Sequence, residues 1–324
     1  MAEQAMIAVP SGALVSTETR GTNPALVYLA SLQPTGRRTM QASLAKVAAM
    51  LGTSLDAAPW GQLQYEHVQA LRTKLAEMHK PATVNKYMAA IRGVMRAAWR
   101  MGLIEAAHYQ RIADVKGVTG STLPAGRALG SGELGALLRV CSMDQTPAGL
   151  RDAALLALAY AGGLRRAELA SLDMADIDTW SDAETVTIKV LGKRQKERLC
   201  YLDNGARLAL LDWLSARGTE AGPLFYAGRR GGHLVKGQRM TGQAIRDVVH
   251  RRAAQAGVDD CSPHDLRRSF VSDLLDAGTD IVTVAAMAGH ASVQTTARYD
   301  RRGEASKKRA ARSLHVPYAK RRLP

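Results

Sequence analysis

His264-Asp265-Leu266-Arg267-Arg268-Ser269-Phe270, followed by Ala288-Gly289-His290 and Thr295-Thr296-Ala297-Arg298-Tyr299, is the part of this 324-residue chain on which the reading turns. His264, Arg267, His290 and Tyr299 stand at intervals of three, twenty-three and nine residues, with Arg165 and Lys193 upstream. Two arginines can hold the non-bridging oxygens of a phosphodiester through paired N–H donors, two imidazoles can donate or move protons, and a lysine can reach a leaving oxygen. Tyr299 supplies an atom that can attack. Each member has a plainer reading when taken alone, since one His and one Arg three apart on a helix are ordinary surface decoration. The cluster as a whole reads as a phosphate-binding site with a nucleophile attached.

Composition agrees. The formal net charge is +15 and the pI about 10, so a polyanion is the expected partner. At 46% hydrophobic the chain can bury a substantial core, and its length suits two domains. No run of eighteen apolar residues exists that could span a membrane. Met1 to Thr22 carries Glu3 and lacks a basic stretch followed by an apolar one, so it reads as a flexible leader rather than a secretory signal. Cys141, Cys200 and Cys261 are odd in number and widely spaced, which argues for a reducing compartment. Cys261 and His264 lie three apart, but no second pair completes a zinc site. No Gly-rich Lys-Ser/Thr phosphate loop is present, in agreement with a chemistry that needs no nucleotide cofactor, and no metal is expected because the arginines and lysine supply the positive charge.

At Gly163-Leu164-Arg165-Arg166-Ala167-Glu168-Leu169, at His264 to Phe270, at Ala288-Gly289-His290 and at Thr295 to Tyr299 the chain resembles the tyrosine recombinase, or phage-integrase, family of site-specific DNA recombinases. The resemblance runs from about residue 23 onward. It implies a fold that is mainly α with a small β-sheet, with an N-terminal helical core-binding domain and a C-terminal mixed α/β catalytic domain. It selects Arg165 over Arg166 as phosphate ligand, because the family places a carboxylate three residues on, here Glu168. It selects Lys193, the Gly-Lys of a β-turn, as the acid that protonates the leaving 5′ oxygen, with Lys196 next. His290 would donate to the phosphate, His264 would accept or relay the proton of Tyr299, and Tyr299 would form a 3′-phosphotyrosyl bond on the way to a Holliday junction. Arg268 reads as a duplex backbone contact or a surface charge, and Tyr201, Tyr226 and Tyr318 as packing or surface residues.

The domain boundaries follow from patterning. Residues 1–22 are the leader, 23–118 a helical core DNA-binding domain, 119–130 a linker of small residues, 131–302 the catalytic domain, and 303–324 a C-terminal segment. Within the first domain Asn23 to Ser31, Met40 to Leu51, Tyr65 to Met78 and Thr83 to Gly102 have helical patterning, with Gly52, Pro59 and Pro81 as punctuation. Tyr87, Ile91, Val94, Met95 and Ala98 form an apolar stripe in the last of these, and Lys86, Arg92 and Arg96 lie on other faces. A solvated face is the plain reading of those cations; the resemblance of Thr83-Val84-Asn85-Lys86-Tyr87 to the signature helix of the core-binding domain makes them DNA-binding candidates. In the catalytic domain Arg151 to Ala161 is an apolar helix stopped by Gly162-Gly163. Thr185 to Val190 and Arg198 to Leu202 form a β-hairpin whose basic tip also holds the DNA-binding candidates Arg194 and Lys196. Thr241 to Ala256, His264 to Ala277, Ile281 to Ala288, Val293 to Arg301 and Ala305 to Leu314 are expected helices.

The implied partners are double-stranded DNA and the protein itself, four copies on two DNA sites with cyclic exchange of the C-terminal segment. Accessory DNA-bending or directionality proteins are a further implied class, and a cytoplasmic, nucleoid-associated location follows. With only a short leader ahead of the core-binding region, a separate arm-site DNA-binding domain is not expected. Two alternatives stay open on sequence: a type IB topoisomerase-like relaxing enzyme, and a DNA-binding module without catalysis, which the intact residue set argues against.

Overall fold

The computed structural model describes residues 23–120, 126–192 and 196–300, together with Lys308, Ala311, Arg312 and Pro317. Two compact units divide the chain, Met1–Pro124 and Ala125–Pro324. The first is built around one long helix. Apolar residues recurring every three or four positions give Pro81–Arg100 (α4) a continuous stripe, and Val84, Met88, Ile91, Val94, Met95 and Ala98 are all buried. Pro24–Ala30 (α1), Pro34–Met50 (α2), Tyr65–Met78 (α3) and Ala106–Ala113 (α5) pack around it. Proline in the first turn starts α1, α2 and α4, where its missing N–H would have had no helical partner. Each fully buried Ile or Met side chain in this core contributes about 1.5–3 kcal/mol.

Asn85 and Arg92 lie on another face of α4 and tie down the end of this unit. Asn85 exchanges two hydrogen bonds with Val118, at 2.8 and 3.0 Å, and Arg92 donates to the Val115 carbonyl. Arg92, expected to face the duplex, is therefore half-buried and occupied by its own chain, because it stands two turns beyond Asn85 on the same face. Arg96 remains exposed and donates to the Tyr109 hydroxyl at 3.0 Å, while Lys86 lies 5.3 Å from the Tyr87 ring centroid.

The second unit contains Ser131–Met143 (α6), Pro147–Ala161 (α7), Arg166–Ser171 (α8), Ile177–Asp178 (β1), Val186–Leu191 (β2), Glu197–Leu202 (β3), Asn204–Arg217 (α9), Tyr226–Gly228 (β4) and Leu234–Arg239 (β5). Gly242–Ala256 (α10), Pro263–Asp276 (α11), Ile281–Ala288 (α12) and Val293–Ala297 (α13) follow. The strands form an antiparallel sheet in the order β1-β2-β3 and an antiparallel β4-β5 pair. Helix α7 is apolar nearly all round, and its Leu155, Leu156 and Leu158 are completely buried at the centre of the core. Alternation in β2 turns Val186, Ile188 and Val190 toward that core, facing it alongside Cys200 and Leu202 of β3.

Gly126 to Gly130, expected as linker, are knit into this unit: Arg127 N–H donates to Asp265 at 3.0 Å, and buried Leu129 donates to the Ser269 hydroxyl at 2.7 Å. The helix expected over Val293 to Arg301 ends at Ala297. Beyond it the backbone closes single turns from Tyr299 to Thr296 and from Asp300 to Ala297. Of the expected helix Ala305 to Leu314, only Lys308, Ala311 and Arg312 are among the described residues, each helical. Among the described residues no helix is long and apolar enough to cross a membrane.

Candidate active site

Arg165 stands at the N-cap of α8, where Glu168 accepts its backbone N–H at 2.9 Å and so caps the helix. The Arg165 side chain donates to Glu168 at 2.7 Å and to the Gly289 carbonyl at 2.7 Å. Glu168 is only 5% exposed, and Arg198 donates to both its oxygens, at 3.1 and 2.8 Å. Burial alone would raise the Glu168 carboxyl, but hydrogen bonds from Arg198 and the Arg165 backbone prevail and hold it below its ordinary range. A simple surface pair between Arg165 and Glu168 is thus not what the fold builds. The carboxylate is a buried anchor for two guanidinium groups.

Arg198 was not singled out in the sequence, and it also donates to the Met287 carbonyl at 3.2 Å. One signal marks it: the inward positions of β3 are Arg198, Cys200 and Leu202, so an arginine occupies a core-facing place where its charge requires a partner.

Helix α11 sets His264 and Arg267 one turn apart. Ser262, Pro263 and Asp265 start it, with Asp265 accepting from the Ser262 N–H at 3.0 Å and hydroxyl at 2.7 Å. Arg267 is 3% exposed; it donates to the Gly163 carbonyl and, at 2.6 Å, to the Ala288 carbonyl. Burial first, then repulsion from Arg165, lowers its pKa to about 10, so it stays charged at neutral pH. His264 keeps an exposed edge, and desolvation with the nearby Arg268 and Arg267 charges holds its pKa below the ordinary histidine value.

The turn after α12 delivers His290. Gly289 takes a left-handed φ of 62°, and the N–H groups of Gly289 and His290 close back on Ala286 and Ala285, at 2.9 Å each. The His290 ring contacts the buried Thr296 hydroxyl through Nδ1 at 2.8 Å, and burial together with Arg267 and Arg165 depresses its pKa to about 4. Tyr299 follows: its hydroxyl lies 3.4 Å from His264 Nε2, and its ring is nearly parallel to His290 with centroids 6.1 Å apart. A 3.4 Å contact is long for a formed hydrogen bond and is of the kind that tightens when substrate enters.

Arg165, His264, Arg267, His290 and Tyr299 thus converge on one cavity of about 410 Å³. Lys193 and Arg194 lie outside the described residues; exposed Lys196 is at the end of the hairpin, its carbonyl accepting from Gly192 N–H at 2.7 Å. Arg268 departs from the expected surface or duplex role. It is 4% exposed and donates to the Gly126 carbonyl at 2.9 Å, because it points from α11 into the segment entering the unit. A cavity of about 430 Å³ elsewhere in the unit is lined by Arg151, Arg252 and Asp144, but these already pair within a buried network centred on Asp152. Among the described residues no group of three or more His, Cys, Asp or Glu could hold a metal ion, and burial pushes the Cys261 thiol up to about 11.

The fold and this constellation define a tyrosine recombinase, an enzyme that cleaves and rejoins DNA. The chain belongs to the phage integrase family, whose model matches residues 128–305. It is 34% identical to tyrosine recombinase XerC of Corynebacterium glutamicum over 220 residues, 67% of each chain. With XerC of Alcanivorax borkumensis it shares 30% identity over 288 residues, covering 86% of this chain and 87% of the relative. Among solved structures its fold is similar to XerH site-specific recombinase bound to palindromic difH substrate in a post-cleavage complex, with a TM-score of 0.66 at 20% identity, over 86% of this chain and 80% of that one. A lambda integrase dimer bound to a COC′ core site superposes with a TM-score of 0.63 at 14% identity, over 86% and 93% of the two chains. These matches favour site-specific recombination over the topoisomerase-like and non-catalytic alternatives.

Proposed function

We propose that this recombinase binds double-stranded DNA and that Tyr299 attacks the scissile phosphate, forming a 3′-phosphotyrosyl bond and releasing a 5′-hydroxyl. A 5′-hydroxyl from another strand then attacks the phosphotyrosyl phosphorus and expels Tyr299, producing a Holliday junction after the first exchange. The observation that carries the reading is the approach of the Tyr299 hydroxyl to His264 Nε2 at 3.4 Å in a cavity walled by Arg165, Arg267 and His290. His264, kept neutral by its lowered pKa, accepts the phenol proton at Nε2. The contact of Nδ1 with the Thr296 hydroxyl orients the His290 ring, and in the tautomer that carries its hydrogen on Nε2 that atom can donate to a non-bridging oxygen. Arg165 and Arg267 stabilise the charge on the equatorial oxygens, with Glu168 orienting Arg165.

In this scheme Lys193 protonates the leaving 5′ oxygen. Lys193→Ala is expected to be severely slowed on ordinary DNA and substantially rescued when the scissile 5′ oxygen is replaced by sulfur, since a thiolate leaves without a proton. Equal defects on the two substrates would remove Lys193 from the role, and the same comparison on Lys196 would then decide.

Lys86, Arg96, Arg194 and Lys196 supply backbone contacts in this scheme, in keeping with the +15 net charge. Affinity should then fall steeply with salt, with a log–log slope of about −9 for a ten-phosphate footprint. Titration at several salt concentrations checks this, and a slope near −2 would contradict a footprint of that size. Four subunits on two duplexes, linked by cyclic exchange of the segment after residue 302, complete the proposal, with accessory DNA-bending or directionality proteins as optional partners in a cytoplasmic setting.

A further inference from the structure

Arg268 is a buried cation to which none of the steps above gives a task. Its guanidinium donates to the Gly126 carbonyl at 2.9 Å, and the same group lies 5.4 Å from the centroid of the Tyr299 ring. One side of Arg268 therefore holds the segment by which the chain enters the second unit, and the other faces the residue read as nucleophile. Asp265 adds a second tether at the same point, since it accepts from Arg127 N–H at 3.0 Å while capping α11. Gly126 has a φ of +91°, and a Cβ there would press on the Asp265 carboxylate and come within 3.5 Å of Arg268 Nη2. Only glycine fits that backbone without displacing the Asp265 carboxylate, and the added Cβ would lie in van der Waals contact with Arg268.

We propose that Arg268 is a positioning residue that couples the entry segment at Gly126 to the placement of Tyr299. The proposal rests on the reading of Tyr299 as nucleophile. A planar guanidinium suits the task, because it can donate in its plane to a carbonyl while presenting a cation to an aromatic ring. The Tyr299 ring has His290 as a further neighbour, with centroids 6.1 Å apart, so a shift of Arg268 changes the ring's restraint without removing it. In-line attack is sensitive to such a shift: a misplacement of about 1 Å can cost on the order of 100-fold in rate. A rearrangement of the chain ahead of Gly126 would thereby reach the nucleophile through a single side chain.

The test uses the full-length protein and a DNA duplex carrying its footprinted site, with single-turnover formation of the covalent adduct measured across DNA concentrations. Parental protein forming adduct and Tyr299→Phe forming none establishes the underlying reading; adduct from the Phe variant would remove that reading and this proposal together. Arg268→Met should lower the maximal adduct rate by about ten-fold or more while the half-saturating DNA concentration stays within about two-fold. Gly126→Ala should produce a smaller rate defect of the same kind. In the double variant the combined defect should fall short of the product of the two single defects, because both changes loosen the same junction at Gly126. A parental adduct rate for Arg268→Met, a loss of DNA affinity in step with rate, or multiplying defects in the double variant would each overturn the coupling, even with the Tyr299 control behaving as expected.

Discussion

Tyr299→Phe is expected to bind DNA as the parent does and to yield no covalent protein–DNA adduct. The substitution removes one oxygen and keeps the ring, whose neighbours are the His290 ring and the Arg268 guanidinium, so the phosphate-binding groups stay in place. Arg165 and Arg267 keep their partners on Glu168, Gly289, Gly163 and Ala288, none of which involves the lost hydroxyl. Chemistry has no substitute for that oxygen. An unassisted phenol is about 0.1% ionised at pH 7, a penalty of about 4 kcal/mol, which in the proposed mechanism a neutral imidazole and two guanidinium groups relieve. Electrophoresis under denaturing conditions reads the outcome directly. A denaturation-resistant band from the Phe variant would show that another residue is the nucleophile.

Much of this site is legible in sequence because its members sit on regular elements with local start and stop signals. Ser262-Pro263 with Asp265 announces the start of α11, and Gly289 announces the end of α12, so the positions of His264, Arg267 and His290 follow from helix geometry. The strands at Val186–Leu191 and Glu197–Leu202 are legible from alternation of β-branched and apolar residues. Long-range pairing is what sequence conceals. Arg198 meets Glu168 across thirty residues, and although its inward place in β3 calls for a partner, nothing local says which carboxylate that is. Arg268 and Arg92 look like surface charges in a basic chain, yet each is drawn inward by a backbone carbonyl that only the tertiary fold brings near. Helices α6 and α9 lack a clear stripe in sequence: α6 contains two glycines and α9 interleaves Asp212 and Arg207 with its leucines.

Arg267→Ala is expected to lose DNA cleavage by about 100- to 1,000-fold or more, the usual cost of deleting one preorganised donor to a transition-state oxyanion. It should also lower thermal stability, which Arg165→Ala should do far less. The difference lies in burial and partners. Arg165 has a side chain 38% exposed and shares Glu168 with Arg198, so its removal leaves that carboxylate paired. Arg267 is 3% exposed and is the donor to the Gly163 and Ala288 carbonyls, which join the end of α7 to the end of α12. Truncation leaves both carbonyls in a buried place, at about 1–3 kcal/mol each where no water replaces the donor. Arg267→Lys tests the geometry more finely, since an ammonium on a flexible stem cannot reproduce the forked donors that serve two carbonyls and leave N–H groups for phosphate. Its melting temperature should fall between those of the parent and Arg267→Ala, with cleavage still strongly impaired. Single-turnover cleavage and thermal melts of the three variants decide the matter: an Arg267→Ala protein that cleaves within about ten-fold of the parent would exclude this guanidinium from the reaction.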